Sequence, residues 1–530
     1  MSENFRVFVA DAVSPKGVEA LQQSGKIDVV VKTGLKEAEI LPMVGDFDAI
    51  VVRSQTKITP AIIQAAKKLK VIGRAGVGVD NVNVDAATER GIVVMNTPGG
   101  NTISTAEHTF SLLLSLARWI PQAHASMKAG EFDRKSFQGV ELCNKVLGIV
   151  GMGRIGGEVA RRAIGFGMRV MAYDPYLSVS RARSLQVELV DQLEPLLKEA
   201  DFITVHMPLT PETDGLLNKD TLALCKKGVR IINCARGGLV READLLAALK
   251  SGHVAGAALD VYETEPPPAE FEFRQLKNVV LTPHLGASTA EAQESVGIEI
   301  AEAIGDFLIN GSVRNAVNMP NLDARTLAVL RPYLSLGDKL GKLLSQLAPS
   351  HLESLTVNYS GKMNEVDTTP ITRAILKGLL ARATGSEVNE VNALKLAAGH
   401  GLKITESKVS ESGDFTELIT AQVAKGKEKH EISATFFGTR PRIVRIDGNS
   451  LEATPEGILF IMENKDRPGI VGWIGSLLGK HKINIASMSL SRETQGGRAL
   501  TVLNLDSVPG EEVMAEIRRD ADYWVKVVTL

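Results

Sequence analysis

"KVLGIVGMGRIGGEVA", residues 145–160, decides the fold. The apolar run before Gly151 reads as a buried strand, and Gly151, Gly153 and Gly156 satisfy G-x-G-x-x-G as a helix begins. The first glycine permits a tight turn, the second lets a pyrophosphate approach the backbone, and the third allows close helix–strand packing. The helix start adds unpaired N–H groups and partial positive charge for the phosphates. Alone this motif is weak; a strand before it and a helix after it supply the context it needs. Asp174 closes the next strand, "MRVMAYD", twenty-one residues after Gly153. A carboxylate roughly 20 residues on accepts hydrogen bonds from the adenosine ribose and repels a 2′-phosphate. No Arg or Lys follows in "DPYL", so the stretch predicts a doubly wound α/β domain for NAD rather than NADP.

Outward from this motif, "DFITVHMP", "GVRIINCA", "GHVAGAALDV" and "NVVLTP" continue the strand series to about 283. An earlier series, "FRVFVA", "IDVVV", "DAIVVR", "KVIGRA" and "GIVVMN", alternates with helical patterns that open on Ser-Pro and Thr-Pro. Such alternation predicts a second doubly wound parallel sheet. Long apolar-periodic stretches at 101–119 and 286–309 flank the glycine-motif series. They predict that this domain, 100–284, is inserted into a first domain made of 1–99 and 285–317, with a cleft between the two. Residues 318–452 carry helical stretches, then alternating strands at 417–446, and read as α+β. Residues 456–530 read βαββαβ, with a turn at "ETQGG" and a last helix over 510–520, the split-βαβ order.

The totals set bounds. At 530 residues the chain exceeds one core and suggests three or four domains. Its 44% hydrophobic and 23% charged content is that of a globular protein, and a net charge of −2 supplies no attraction for nucleic acid or an anionic membrane. No stretch has the apolar length of a membrane span. Cys143, Cys225 and Cys234 lack disulfide or metal-ligand spacing, so buried thiols in a reducing compartment and no metal are expected. The amino terminus runs straight into a strand without a secretory signal, which predicts a cytoplasmic protein; an organellar one after removal of a transit peptide stays open.

Chemistry gathers at three strand ends. "TPHLGAST" (282–289) places His284 past a strand, where Ser288 and Thr289 could cap the following helix without it. "NCARGGLV" places Arg236 past another, where ligands of parallel sheets bind and a guanidinium can clamp a carboxylate. "ALDVYETEPPP" offers Asp260, Glu263 and Glu265 beside a Pro-rich turn. A carboxylate on one imidazole nitrogen fixes the tautomer and favours the cation, leaving the other nitrogen as a base for a hydroxyl proton.

On "GMGRIG", "NCARGGLV", "ALDVYETEP" and "TPHLGAST" the chain resembles the D-isomer-specific 2-hydroxyacid dehydrogenases over residues 1–318. The resemblance implies Arg236, Glu265 and His284 as the catalytic set. It implies Val77, Gly151, Gly153, Arg154, Ile155, Gly156, Asp174, Cys234, Ala235, Arg236, Asp260, His284, Gly286 and Ala287 at NAD. "VRSQTKIT", "GRAGVGVDNV" and "MNTPGGNT" are similar to the branch that oxidises D-3-phosphoglycerate, which implies Arg53, Ser54, Gly76, Asn101 and Arg236 at the substrate. Residues 318–450 resemble that branch's intervening domain, and the βαββαβ tail resembles an ACT regulatory module. That implies Asn464, Asp466 and Asn484 at an L-serine effector site between paired copies, and a homotetramer or other homo-oligomer. Turn chemistry explains the same Asn and Asp residues equally well. Two alternatives stay open: a dehydrogenase for glycerate, hydroxypyruvate or lactate, and a non-enzymatic NAD or amino-acid sensor on the same scaffold.

Overall fold

The computed structural model describes residues 4–382, 388–409, 414–492, 494–519 and 522–530, and their strands form four sheets. The first holds β1 (Phe5–Val9), β2 (Ile27–Val31), β3 (Ala49–Val52), β4 (Val71–Arg74) and β5 (Val93–Met95), all parallel, in the order β2-β1-β3-β4-β5. Every residue of β3 is buried, as a central strand covered on both faces requires. The helices Pro15–Gln22 and Pro60–Ala65 start where the Ser-Pro and Thr-Pro pairs predict. Ser14 and Thr59 accept from the N–H groups of Gly17 and Ile62.

The helix Thr102–Arg118 then carries the chain to the second sheet. That sheet holds β6 (Val146–Val150), β7 (Arg169–Tyr173), β8 (Glu188–Leu189), β9 (Phe202–Val205), β10 (Val229–Asn233), β11 (Val254–Leu259) and β12 (Val279–Leu281). Its order is β12-β11-β10-β9-β6-β7-β8, all parallel, reversing direction between β6 and β9. Ligands of such sheets bind outside the carboxyl ends of the strands at that reversal. The helix Ala290–Asn310, capped by Thr289 and ended by Gly311 at φ 73°, returns the chain to the first sheet. Its Ile300 and Ile304 press on Gly73 of β4, where a side chain would collide.

The third sheet is larger than the sequence suggests. It holds β13 (Ser354–Gly361), β14 (Lys403–Val409), β15 (Glu417–Lys425), β16 (Glu428–Phe437), β17 (Arg440–Ile446) and β18 (Asn449–Ala453), in the order β14-β13-β15-β16-β17-β18. The helices Ala324–Leu347 and Thr369–Leu380 belong to this unit, and their backbones approach so closely that a Cβ on Gly341 would stand 2.0 Å from the Ile375 carbonyl oxygen.

The fourth holds β19 (Ile458–Lys465), β20 (Ile485–Arg492), β21 (Arg498–Leu505) and β22 (Trp524–Thr529), in the order β20-β21-β19-β22. With the helices Ile470–Lys480 and Glu511–Ile517 it is the expected βαββαβ unit. Glu493 of the expected turn, Asp520 at the expected helix end and Ala383 lie outside the described residues. Cys225 and Cys234 are buried as expected, whereas Cys143 is exposed. Among the described residues, no helix is long and apolar enough to cross a membrane.

Candidate active site

Three consecutive strand ends deliver the chemistry. At the end of β10, Asn233 accepts from the Ala235 N–H at 3.0 Å and donates to the Arg236 carbonyl at 2.9 Å, which folds a tight turn that presents Arg236. After β11 comes Asp260, fully buried. It accepts from the N–H groups of Leu285 (2.7 Å) and Gly286 (2.9 Å) and from the Thr282 hydroxyl (2.6 Å). His108, on the helix between the sheets, faces the same carboxylate at 3.1 Å. Burial opposes the charge of Asp260, but the donors from His108, Thr282 and Leu285 outweigh it and hold the carboxyl below its usual range.

The loop that Asp260 grips carries His284 in the left-handed region, at φ 56°. Its Nδ1 lies 2.8 Å from Glu265 Oε2. Glu265 Oε1 accepts from the Tyr262 N–H at 3.1 Å. Burial works against the Glu265 charge, yet the hydrogen bond to His284 and the facing positive charge bring the carboxyl below its usual value. With Nδ1 engaged, Nε2 is the nitrogen left for a ligand. Glu263 takes no part, since its carboxylate accepts from the Glu242 N–H instead.

His284 lines a cavity of about 480 Å³ together with Val77, Asn101, Ile155, Cys234, Ala235, Arg236, Asp260, Gly286 and Ala287. Across it, Arg236 donates from Nε to Asp80 at 3.1 Å, joining the two lobes. Arg74, at the end of β4, also lines the cavity. Burial first, then repulsion from Arg236 and Arg53 against the pull of Asp80 and Asp11, brings its guanidinium down to about 10. Three arginines therefore gather here, an arrangement that an incoming dianion relieves. Gly76, at φ 149°, leaves the room that Arg74 fills: a Cβ there would stand 1.6 Å from Arg74 Nη1. Arg53 touches the Ala12 carbonyl at 3.3 Å, and Ser54 beside it is exposed.

The glycine loop has the shape its spacing predicts. Gly151 sits at φ 95°, and a Cβ on Gly156 would meet the Gly151 carbonyl oxygen at 2.2 Å. Beside Gly153 a Cβ would meet nothing within 4 Å, an open space suited to a pyrophosphate, with Arg154 exposed next to it. Asp174 accepts from the N–H groups of Met152 (2.8 Å) and Tyr176 (2.9 Å), which fixes its carboxylate beside this loop. Three buried polar atoms of residues lining the cleft lack partners among the described residues: Arg74 Nε, Asn101 Oδ1 and His206 Nδ1. Unpartnered groups concentrated in one cleft fit a polar ligand such as a dinucleotide. Burial drives the Cys234 thiol upward, so it packs as an apolar wall.

Sequence alone does not single out Arg74, His206 or His108. Arg74 and His206 each follow an apolar run, and His108 is one polar residue on an apolar-periodic helix. His206 is half-buried with its Nδ1 shut off from water, and loss of hydration lowers its pKa to about 4, with Nε2 at 3.0 Å from Thr204 Oγ1.

The expected effector residues do not converge within one chain. Asn464 and Asp466 lie at the carboxyl end of β19, where Asp466 accepts from Arg492 at 2.6 Å. Asn484 donates to Asp506 at 2.8 Å, beyond Leu505, which pairs with Ile458 at the opposite end of β19.

Three family descriptions match in succession. Residues 110–286 match the NAD-binding domain of D-isomer-specific 2-hydroxyacid dehydrogenases. Residues 329–447 match the intervening domain of D-3-phosphoglycerate dehydrogenase, and 458–522 match the ACT domain. A D-3-phosphoglycerate dehydrogenase of Archaeoglobus fulgidus is 44% identical over 516 residues, 97% of this chain and 98% of that protein. One of Bacillus subtilis is 43% identical over 530 residues, 99% of this chain and all of that one. Among solved structures, NAD+-bound 3-phosphoglycerate dehydrogenase of Entamoeba histolytica superposes with a TM-score of 0.51 at 29% identity, over 59% of this chain and 99% of that one. Matched along nearly its whole length, the chain belongs to the D-3-phosphoglycerate dehydrogenase family of the D-isomer-specific 2-hydroxyacid dehydrogenases.

Proposed function

We propose that the protein oxidises D-3-phosphoglycerate to 3-phosphohydroxypyruvate with NAD, the first step of serine synthesis. The observation that carries this reading is the 2.8 Å contact between His284 and Glu265, set in one cleft with Arg74 and Arg236. NAD, when bound, supplies the acceptor for the hydride leaving C2 of the substrate. His284 Nε2 takes the C2 hydroxyl proton as the C–H electron pair departs and the carbonyl forms, then passes that proton to water. Glu265 holds Nδ1 and stabilises the imidazolium. Arg236 takes the substrate carboxylate through a planar pair of N–H donors. Arg74, with Arg53 and Ser54, takes the phosphate end. Gly151, Gly153, Gly156 and Asp174 hold the dinucleotide, and Asp260 keeps the 284–286 loop in place.

This reading assigns the substrate lobe to 1–99 and 285–317, the NAD lobe to 100–284, the intervening unit to 318–452 and the regulatory unit to 456–530. It makes the active form a homo-oligomer, with a homotetramer as the expected size, and its site of action the cytoplasm. L-serine would bind between two ACT units, with Asn464 and Asp466 from one copy and Asn484 from the other.

The test is NADH formation with a panel of D-hydroxy acids. One charge-assisted phosphate contact stabilises by about 1.5–3 kcal/mol, which predicts a preference in kcat/KM of roughly tenfold or more for 3-phosphoglycerate over glycerate. Equal rates on the two would reject the phosphate assignment, and no NADH with any acid would reject the enzyme.

A further inference from the structure

A second cavity, of about 580 Å³, lies between the first sheet and the helices of the third-sheet unit. Asp48, Lys70 and Val93 line it at the amino ends of β3, β4 and β5, the sheet edge opposite the cleft. Its volume is that of a small-molecule site. Its floor is apolar, with Val93, Phe307, Met319, Leu327 and Leu334 among its members.

Its polar side is cationic. Lys67, Lys68, Lys70, Arg90 and Arg373 line it against two carboxylates, Asp48 and Glu390. Both carboxylates are already engaged, Asp48 by Lys70 at 3.0 Å and Glu390 by Lys377 at 2.9 Å. Lys68 reaches Asp46 at 3.9 Å. Among the described residues, neither Arg90 nor Arg373 has a carboxylate partner. Arg90 Nη1 donates to the carbonyls of Ile63 and Gln64 at 3.3 and 3.2 Å. Arg373 Nη1 donates to those of Glu390 and Val391 at 2.8 and 3.3 Å, and its buried Nε has no partner among the described residues. Burial lowers the Arg373 guanidinium, as expected of a cation removed from water without a counter-charge. Such a group is unfavourable until an anion pairs with it.

The walls beside it are specifically joined. Asn389 donates to the Gly91 carbonyl at 2.8 Å, and Lys395 pairs with Asp85 at 3.2 Å and Glu89 at 3.0 Å. An occupant would therefore touch both units of a defined junction.

We propose that this cavity binds a small carboxylate with an apolar body, its charge at the Arg90–Arg373 side and its body over Phe307, Leu327 and Leu334. The site is independent of the dehydrogenase reading and shares no lining residue with the catalytic cleft.

Calorimetry on the full-length protein tests it, with decanoate as the probe and 1-decanol, acetate and inorganic phosphate as controls. The expected result is one decanoate per chain, with each control at least about tenfold weaker, because each lacks the charge or the apolar body. Arg373→Gln removes the half-buried cation, and Arg90→Gln removes the exposed one without disturbing the fold. Each should weaken decanoate by roughly tenfold while the NAD affinity stays unchanged. No saturation below about 1 mM decanoate, equal binding of 1-decanol or phosphate, or undiminished binding in Arg90→Gln overturns the proposal.

Discussion

His284 holds a left-handed backbone that non-glycine residues adopt only when their surroundings insist. The insistence comes from Asp260, which binds the two N–H groups that follow His284. His284→Asn removes the proposed base but leaves that grip, so turnover should fall by about 10²–10⁴-fold with NAD affinity retained. Steady-state kinetics beside an NAD titration check this, and near-normal turnover would remove His284 from the chemistry. Glu265 adds a pH signature. Its carboxyl titrates below the ordinary glutamate value in the folded protein, because the contact with His284 and its charge outweigh burial. Its stabilising contribution is therefore complete above the unfolded value and is lost as pH falls through the lowered folded one. Urea titrations across that acid range should show Glu265→Gln losing less stability than the parent as pH drops; parallel curves would contradict the assignment. That Arg236, Glu265 and His284 come together was legible in the sequence because each stands at a strand end within a distinctive string. The place of Arg74 was not: its importance comes from Arg53 and Arg236, which approach it only in the fold.

The glycine loop shows how far one element can be read before its structure is known. Three spaced glycines predict turn, cradle and packing contact, and the geometry separates those duties. A Cβ on Gly156 runs into the Gly151 carbonyl, whereas one on Gly153 enters open space. Gly156→Ala should thus destabilise the protein by about 1–3 kcal/mol, as overpacking does, and weaken NAD as well. Gly153→Ala should leave the melting temperature of the ligand-free protein nearly unchanged and still weaken NAD, since only the phosphate needs that space. Thermal melts with and without NAD distinguish the two; equal destabilisation by both would mean that Gly153 serves packing. Elsewhere the strand signal ran out for physical reasons. β14, "KITESKV", is an exposed edge strand with mostly polar residues, and it is held by pairing with β13 rather than by an apolar face. β13 does alternate buried and half-buried residues, a period-two pattern present in "SLTVNYSG" but overshadowed by the helices on either side.

At the scale of the whole molecule, the insertion of one α/β domain into another was legible because two long helices mark both crossings. The cavity beneath the first sheet was not, because its walls come from segments hundreds of residues apart, such as Gly91 and Asn389. The ACT unit raises a similar question for the proposed serine site. β19 spans eight residues, so Asn484 lies roughly 23 Å along the sheet from Asn464 and Asp466, too far for one amino acid to touch all three. If serine binds through these residues, a two-fold pair of copies must supply them, and each pair then forms two identical sites. Asp466→Ala and Asn484→Ala should each abolish serine binding alone. Mixed in equal amounts and reassembled, they should recover it at about one site in four, because each mixed pair has one doubly altered site and one intact site. Calorimetric stoichiometry reads this directly. A mixture as inactive as its parents would place serine, if it binds at all, within a single chain.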